Sequence, residues 1–96
     1  MPTYDRTDTF KDDYSRLTSQ EKRDVNVAVR KFLEDLPTGK FRAGLRVKGI
    51  KSAEGVLEMT WSGDGRMTFE YGKEVHVGQP HIIWRRVGRH EVLDDA

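Results

Sequence analysis

Two side chains in the second half of the sequence have the chemistry to act on a phosphate group. Arg66 follows the glycine-rich run SGDG, and a guanidinium is always charged and offers a planar fork that matches phosphate oxygens. His90 ends the run VGRH, and an imidazole can donate or accept a proton near neutral pH. The alternatives are an arginine paired with Glu58 or Glu70 on the surface, and a solvated histidine. The residue types alone leave both alternatives open.

The positive charge of the chain is concentrated in two short segments. The formal net charge is only +1, yet Lys40–Lys51 and His81–His90 contain basic residues and no acidic ones. Such segments favour an anionic partner if the fold brings them together, and two solvated faces are the alternative. The basic residues are Lys40, Arg42, Arg46, Lys48 and Lys51 in the first segment and Arg85, Arg86 and Arg89 in the second.

Composition limits the class of protein. Ninety-six residues correspond to one domain, 1–96, and the absence of cysteine excludes disulfides and thiolate metal sites. The three histidines lack metal-ligand spacing, so we expect neither a metal nor another cofactor. No apolar run approaches the roughly 18 residues that span a membrane. The N-terminal MPTYDRTDTF does not resemble a signal peptide, so we expect a cytoplasmic protein with no membrane partner.

Helical periodicity is confined to the first part of the chain, where a helical hairpin is predicted over about 9–36. Cap patterns of the type S/T-x-x-D/E begin at Thr9 and at Thr18. Pro37 and Gly39 are typical of a helix end. The apolar face of the second helix comprises Val25, Ala28, Val29, Phe32, Leu33 and Leu36.

From about residue 44 to 90 the pattern alternates and predicts a sheet. Strands are expected around Leu45–Lys48, at Val56–Trp61, at Arg66–Tyr71 and at His81–Val87, with a possible short strand at Tyr4–Thr7. The connector SGDG is predicted to be a hairpin turn whose glycines adopt positive φ. The fold class is therefore α+β, a helical hairpin on one face of a small, twisted, mainly antiparallel sheet. The helices should bury Leu57, Met59, Trp61, Met67, Phe69 and Tyr71, and the open face should carry Glu58, Thr60, Arg66, Thr68 and Glu70.

The order and spacing of four segments resemble one known group of proteins. "FKDDYSRL", "FLEDLPTGKFRAGLRVKGI", "GDGRMTFEYG" and "WRRVGRHEVL" together resemble the RelE/ParE superfamily of bacterial toxins, and more closely its RelE-type mRNA interferase branch. The resemblance extends from Thr9 to Leu93. It implies a ribosome-dependent endoribonuclease that cuts mRNA and inhibits translation, and that a cognate antitoxin, acidic and partly disordered when free, neutralises.

The resemblance also implies roles for particular residues. Arg66 matches the arginine that stabilises the scissile phosphate, and His90 lies where relatives place a general acid or substrate-orienting residue. Lys48 and Arg46 fall where relatives contact phosphate and sometimes supply a base. This sequence departs from some relatives because Glu58 and Thr60 replace a lysine pair on the strand before the turn, and because no tyrosine follows His90. The identity of the general base is therefore open.

The reaction implied is attack of the ribose 2′-OH on the adjacent phosphate, which gives a 2′,3′-cyclic phosphate and needs no metal ion. It needs a base, fixed positive charge and an acid. We predict Arg66 with Lys48 or Arg46 for the charge, His90 for the acid and Glu58 as a candidate base. The remaining RNA contacts are predicted for Arg42, Lys51, Arg85, Arg86 and Arg89, which the sheet would present to RNA on its open face.

Two alternatives remain open at this point. The ParE branch shares the architecture but binds DNA gyrase and is not a nuclease, and His90 with the basic segment 42–51 favours the RNA branch. A non-catalytic α+β module that only binds the RNA backbone would use the same arginines.

Overall fold

A computed structural model describes residues 2–96 and shows helices packed against a five-stranded mixed sheet. The predicted α+β fold class is therefore confirmed. Short 3-10 helices occupy Leu36–Thr38, Ala43–Leu45 and His90–Asp95. The other elements are β1 (Thr3–Arg6), α1 (Asp8–Ser15), α2 (Ser19–Asp35), β2 (Lys48–Ile50), β3 (Ala53–Thr60), β4 (Gly65–Tyr71) and β5 (His81–Arg89).

The sheet has the strand order β1-β5-β4-β3-β2. β1 runs parallel to β5, and the other three pairings are antiparallel, so the prediction of a mainly antiparallel sheet is confirmed. His81 fastens β1 to β5, since its Nδ1 lies 2.6 Å from the Thr3 hydroxyl and its Nε2 lies 3.1 Å from the Asp5 carboxylate. The possible strand near residues 4–7 is thus a short edge strand, as the sequence suggested.

The two helices begin with side-chain caps. Thr18 and Glu21 form the predicted capping box of α2, in which each side chain bonds the backbone N–H of the other residue. For α1 the predicted cap at Thr9 is wrong. Thr7 takes that role, because its hydroxyl accepts from the Phe10 amide and also donates to the Arg85 carbonyl in β5. The cap therefore ties the helix to the sheet as well as starting it.

The core lies between α2 and one face of the sheet. Phe32 is fully buried and packs edge-on against Phe69 and Trp84, with ring centroids 4.9 and 5.2 Å apart. The predicted β3–β4 register is confirmed, since Met59 pairs with Met67 and both are fully buried. Tyr71 departs from the prediction because it lies at the end of β4 and remains 50% exposed.

The basic segment that follows α2 is mostly not a strand. The chain forms the 3-10 helix Ala43–Leu45, and β2 begins only at Lys48. Arg46 ends that 3-10 helix with φ of 50°, a left-handed conformation that side-chain-bearing residues rarely adopt. The predicted strand around Leu45–Lys48 is therefore wrong in its bounds, and Arg42 and Arg46 precede the sheet instead of lying in it.

Candidate active site

Arg66 is the second residue of β4, directly after the tight β3–β4 turn, and Trp61 fixes this corner. The indole N–H of Trp61 donates to the carbonyls of Arg66, at 3.1 Å, and Gly88, at 3.0 Å. A Cβ on Gly65 would lie 2.4 Å from the Trp61 ring. The prediction that the turn glycines adopt positive φ is wrong, because neither Gly63 nor Gly65 does. Gly65 is needed because the indole packs directly against the backbone.

The Arg66 side chain folds back over this turn instead of extending into solvent. Its Nη1 donates to the carbonyls of Gly63 and Gly65 at 3.2 and 2.9 Å. Its Nε lies 4.0 Å from Oε1 of Glu58, and the two side chains are only 14% and 11% exposed. Arg66 is therefore a held, largely buried guanidinium, not the exposed one that the sequence suggested.

The register places several predicted residues on the sheet face opposite the helices. Glu58 on β3 pairs with Lys48 on one side and with Thr68 on the other, and Thr68 pairs with Arg86. These four residues form a row across four strands. Residues directly opposite one another in such a ladder have Cβ atoms about 5 Å apart. The row therefore places the carboxylate of Glu58, the hydroxyl of Thr68 and the cations of Lys48 and Arg86 beside Arg66.

Four of the predicted residues have no side-chain partner within residues 2–96. Lys48, Lys51, Arg46 and His90 form no ion pair or side-chain hydrogen bond there, and all four are exposed. His90 is the first residue of the last 3-10 helix, just beyond β5, as predicted. The positive charges of the lysines and the arginine, and the imidazole of His90, are therefore available to a ligand.

The other four predicted RNA-binding arginines are engaged within the chain. Arg42 bonds both carboxylate oxygens of Asp35 at 2.8 Å, which lowers the pKa of Asp35 to about 2, and it also bonds Glu34. The sequence did not indicate that the guanidiniums of all four arginines are paired with carboxylates. The other pairs are Arg85 with Glu70, Arg86 with Asp13 and Asp95, and Arg89 with Glu21 and Asp64.

Two residues that sequence reasoning did not select hold the end of β5 in place. Asp13 is 7% exposed and accepts hydrogen bonds from Arg86 Nε and from the Val87 amide. Its spacing of three from Phe10 was a usable signal, since that spacing puts a carboxylate on the buried face of α1. Glu21 bonds Arg89 at 2.9 Å, and hydrogen bonding to the Thr18 amide lowers the pKa of Glu21.

The polar face of the sheet is not fully open, contrary to the prediction. The C-terminal 3-10 helix packs against β4 on this face, and Val92 is only 4% exposed. Glu58 is 8% exposed, and Thr68 is fully buried. The Thr68 hydroxyl is the one buried side-chain polar atom in residues 2–96 without a hydrogen-bond partner. The sequence HEVLDD has no periodicity from which the packing of this 3-10 helix on the sheet could have been predicted.

A second surface feature lies on the helical side of the molecule. An apolar groove of about 720 Å³ runs between the free edge of β1 and the two helices. Tyr4 and Leu33 line it while remaining 62% and 43% exposed, and Arg6 and Arg30 contribute positive charge. The groove is separate from the row around Glu58, because it lies on the opposite side of the sheet.

Within residues 2–96 the structure contains no group of three histidine, aspartate or glutamate side chains placed to hold a metal ion. None of the helices in that range is long and apolar enough to cross a membrane.

Solved toxin structures match this chain over nearly its whole length. A chain of the RelB–RelE antitoxin–toxin complex from Methanococcus jannaschii is 19% identical, with a TM-score of 0.59 and 94% of each chain covered. A chain of the Escherichia coli DinJ–YafQ complex is 12% identical, with a TM-score of 0.67 and coverage of 97% of this chain and 98% of that one. The YoeB/ParE toxin from Agrobacterium tumefaciens is 12% identical, with a TM-score of 0.66 and coverage of 92% and 98%.

These likenesses show the fold. The chain has the α+β architecture of RelE-, YafQ- and YoeB/ParE-type toxins, which confirms the resemblance inferred from the sequence motifs at the level of fold. No protein-family model and no curated protein matches the sequence.

Proposed function

We propose that this protein is the toxin of a type II toxin–antitoxin system and acts as a ribosome-dependent mRNA endoribonuclease. The observation that carries the proposal is the pairing of Arg66 with Glu58 at the β3–β4 corner, beside the free cation of Lys48. A held guanidinium next to a carboxylate supplies fixed positive charge and a proton acceptor in one place.

The reaction assigns a separate task to each side chain. Glu58 accepts the proton of the ribose 2′-OH while that oxygen attacks the adjacent phosphorus. Arg66 and Lys48 stabilise the negative charge that develops on the phosphorane oxygens. The bond from phosphorus to the 5′ oxygen then breaks, and His90 donates a proton to that leaving oxygen. The products are a 2′,3′-cyclic phosphate and a free 5′-OH, so atoms and charge balance without any further reactant.

We propose that the unpaired cations are the main contacts of this protein with mRNA and ribosomal RNA. Arg46, Lys48 and Lys51 are exposed and unpaired within residues 2–96, so they can exchange water for phosphate without breaking an internal ion pair. Arg42, Arg85, Arg86 and Arg89 would have to share or leave their carboxylate partners. We therefore assign them a secondary part in RNA binding.

The partner that we propose is an antitoxin protein whose acidic, amphipathic segment lies along the helical hairpin. Two of the structural neighbours were solved as complexes of an antitoxin with a toxin. In this chain the apolar groove beside the hairpin offers exposed Tyr4 and Leu33 for apolar contacts and Arg6 and Arg30 for acidic ones. Amphipathic segments bind such grooves through side chains spaced at three and four residues.

The proposal is tested by incubating the purified protein with ribosomes that carry a defined mRNA. We expect primer extension to reveal cuts within the ribosome-bound mRNA, and we expect end analysis of the upstream fragment to show a 2′,3′-cyclic phosphate. If growth arrest occurs in cells while no cut mRNA is found, a ParE-like toxin that binds DNA gyrase is favoured. RNA binding without either effect favours a non-catalytic module.

A further inference from the structure

The last residues of the chain form a defined cover on the polar face of the sheet. Starting at His90, the 3-10 helix runs back along β5, and the side chain of Val92 sits over Gly88. A Cβ added to Gly88 would lie 2.9 Å from Val92 Cγ1. The Leu93 carbonyl lies 3.5 Å from the Ser52 hydroxyl in the β2–β3 connection. The segment 90–96, which we call the C-terminal cover, therefore touches both sides of the row around Glu58.

Two arginines of β5 hold the end of the C-terminal cover. Arg85 Nε donates to the Ala96 carbonyl at 2.8 Å, and Arg86 Nη1 donates to the Asp95 carbonyl at 3.1 Å. The Asp95 carboxylate lies 3.7 Å from the same Arg86 nitrogen. Guanidinium donors that bind peptide and carboxylate oxygens in this way are equally suited to phosphate oxygens. An RNA backbone on this face would therefore compete with the C-terminal cover for the same donors.

The groups beneath the C-terminal cover point to a second arrangement of this site. Thr68 is fully buried, and its hydroxyl has no partner within residues 2–96, although its cross-strand neighbour Glu58 is an acceptor. A buried hydroxyl without a hydrogen bond raises the free energy of the covered state. Thr68 and Glu58 lie on the face against which the C-terminal cover packs, so movement of the cover would open both to water or to a ribose hydroxyl. The unsatisfied hydroxyl thus favours release of the cover in the presence of a polar ligand.

The C-terminal cover is attached weakly enough to move. Glu91, Asp94 and Asp95 are exposed, and the Asp95 side chain is 97% exposed. Val92 is the only buried apolar side chain in the segment. A segment held by one buried side chain and a few rim hydrogen bonds belongs to the low-stability part of a fold.

We propose that the C-terminal cover is an anionic occupant of the RNA site, bound to Arg85 and Arg86 in place of phosphate and shielding Glu58, and that RNA binds by displacing it. This inference rests on the proposed endoribonuclease function and adds a regulatory step to it. The cover lowers the apparent RNA affinity by the fraction of molecules in which it is closed. Asp95, whose carboxylate lies 3.7 Å from Arg86, therefore belongs to the site.

The test measures the dissociation constant for a short single-stranded RNA that lacks the attacking 2′-OH, so that binding is observed without cleavage. Val92→Ala weakens the anchor of the C-terminal cover and should lower that constant about threefold or more. Val56→Ala is the matched control, because Val56 is 5% exposed on the same face but belongs to β3. It should leave the constant unchanged once the protein is shown to be folded.

A second variant tethers the C-terminal cover. The chain has no cysteine of its own, so Ser52→Cys combined with Leu93→Cys introduces the only pair of thiols. The oxidised protein should bind RNA about tenfold or more weakly, and reduction should restore binding. Equal affinity of Val92→Ala and wild type, or of the oxidised and reduced tethered protein, overturns the inference alone. If none of these proteins binds the free RNA, the inference is overturned, whereas the proposed function is decided separately by the cleavage assay on ribosomes.

Discussion

The Asp13 carboxylate accepts a hydrogen bond from Arg86 Nε at 2.7 Å and one from the Val87 amide at 3.2 Å. β1 pairs with β5 only as far as Trp84, so the outer edge of β5 beyond that point lacks a strand partner. Asp13 supplies an acceptor at this edge. Hydrogen bonding to Asp13 also raises the pKa of Arg86 above its ordinary value. One helix side chain therefore completes the edge of the sheet that leads to the candidate site.

Asp13→Ala is expected to lower the free energy of unfolding by about 3–5 kcal/mol, because it leaves a partly buried guanidinium and a buried amide without their acceptor. Asp12→Ala is the control, since Asp12 is a neighbouring but exposed carboxylate of α1. Denaturant unfolding of the three proteins provides the comparison. A loss below about 1 kcal/mol in Asp13→Ala would show that water replaces the carboxylate at this edge.

Arg66→Ala is expected to reduce the rate of mRNA cleavage by about 10²–10³-fold while the protein stays folded. The reason is the loss of one preorganised charge contact to the phosphorane. Arg23→Ala removes an exposed arginine of α2 and serves as the control. Single-turnover cleavage and an unfolding curve are measured on each protein. A folded Arg66→Ala protein that cleaves at nearly the wild-type rate contradicts the assignment of Arg66.

His90→Gln is expected to keep RNA binding and to lose most of the single-turnover rate, because His90 is assigned the proton that the leaving 5′ oxygen needs. An RNA with a 5′-thio leaving group needs little protonation and should recover much of that loss. His76→Gln, in the exposed loop before β5, is the control. An equal deficit with the oxygen and thio substrates would mean that His90 positions RNA and that another group is the acid.

Features of this protein that depend on residues close together in the chain could be predicted from the sequence. The capping box of Thr18 and Glu21 spans three residues, and the turn between β3 and β4 spans four, so both depend on neighbours in the chain. The β3–β4 register followed from the alternation of Met59 and Met67 with polar residues, because a slip of one residue would expose the whole apolar set. The resemblance of the motifs to a toxin fold rested on the same local patterns.

Features that depend on contacts between residues far apart in the sequence could not be predicted. Arg86 and its partner Asp13 are 73 residues apart, so a basic run in the sequence did not reveal that its charge was already paired. Thr7 replaced Thr9 as the cap because it also bonds Arg85 across the fold. The C-terminal cover depends on Gly88 leaving room for Val92, a steric relation visible only in three dimensions. The structure therefore differs from the sequence-based expectations more in the ion pairs that these residues form than in their positions in the fold.

Acid stability is expected to depend on the pair formed by Asp35 and Arg42. Hydrogen bonding to Arg42 lowers the pKa of Asp35 from 3.8 to about 2. A lowered pKa in the folded state gives a stabilisation that is fully present above the ordinary value and is lost as pH falls through the folded one. The free energy of unfolding of Arg42→Gln should therefore be lower than that of the wild type at pH 5. The two values should converge as the pH falls toward 2. Arg30→Gln is the control, and urea unfolding at several pH values is the measurement. Curves that stay parallel over that interval would contradict the role of this pair.

Leu33→Lys is expected to weaken binding of the proposed antitoxin, because it puts a charge into the apolar groove between β1 and the helices. Leu33 is 43% exposed and lines that groove, whereas Val27 is 44% exposed on the same helix and lies outside it. Val27→Lys is thus a control matched in exposure, helix and introduced charge. Burying an apolar side chain of this size contributes about 1.5–3 kcal/mol, so we expect the dissociation constant to rise roughly tenfold or more in Leu33→Lys only. Calorimetric titration with the proposed antitoxin measures both variants. A larger effect of Val27→Lys would place the antitoxin on the outer face of α2, and equal effects of the two would mean that added charge, not the groove, controls binding.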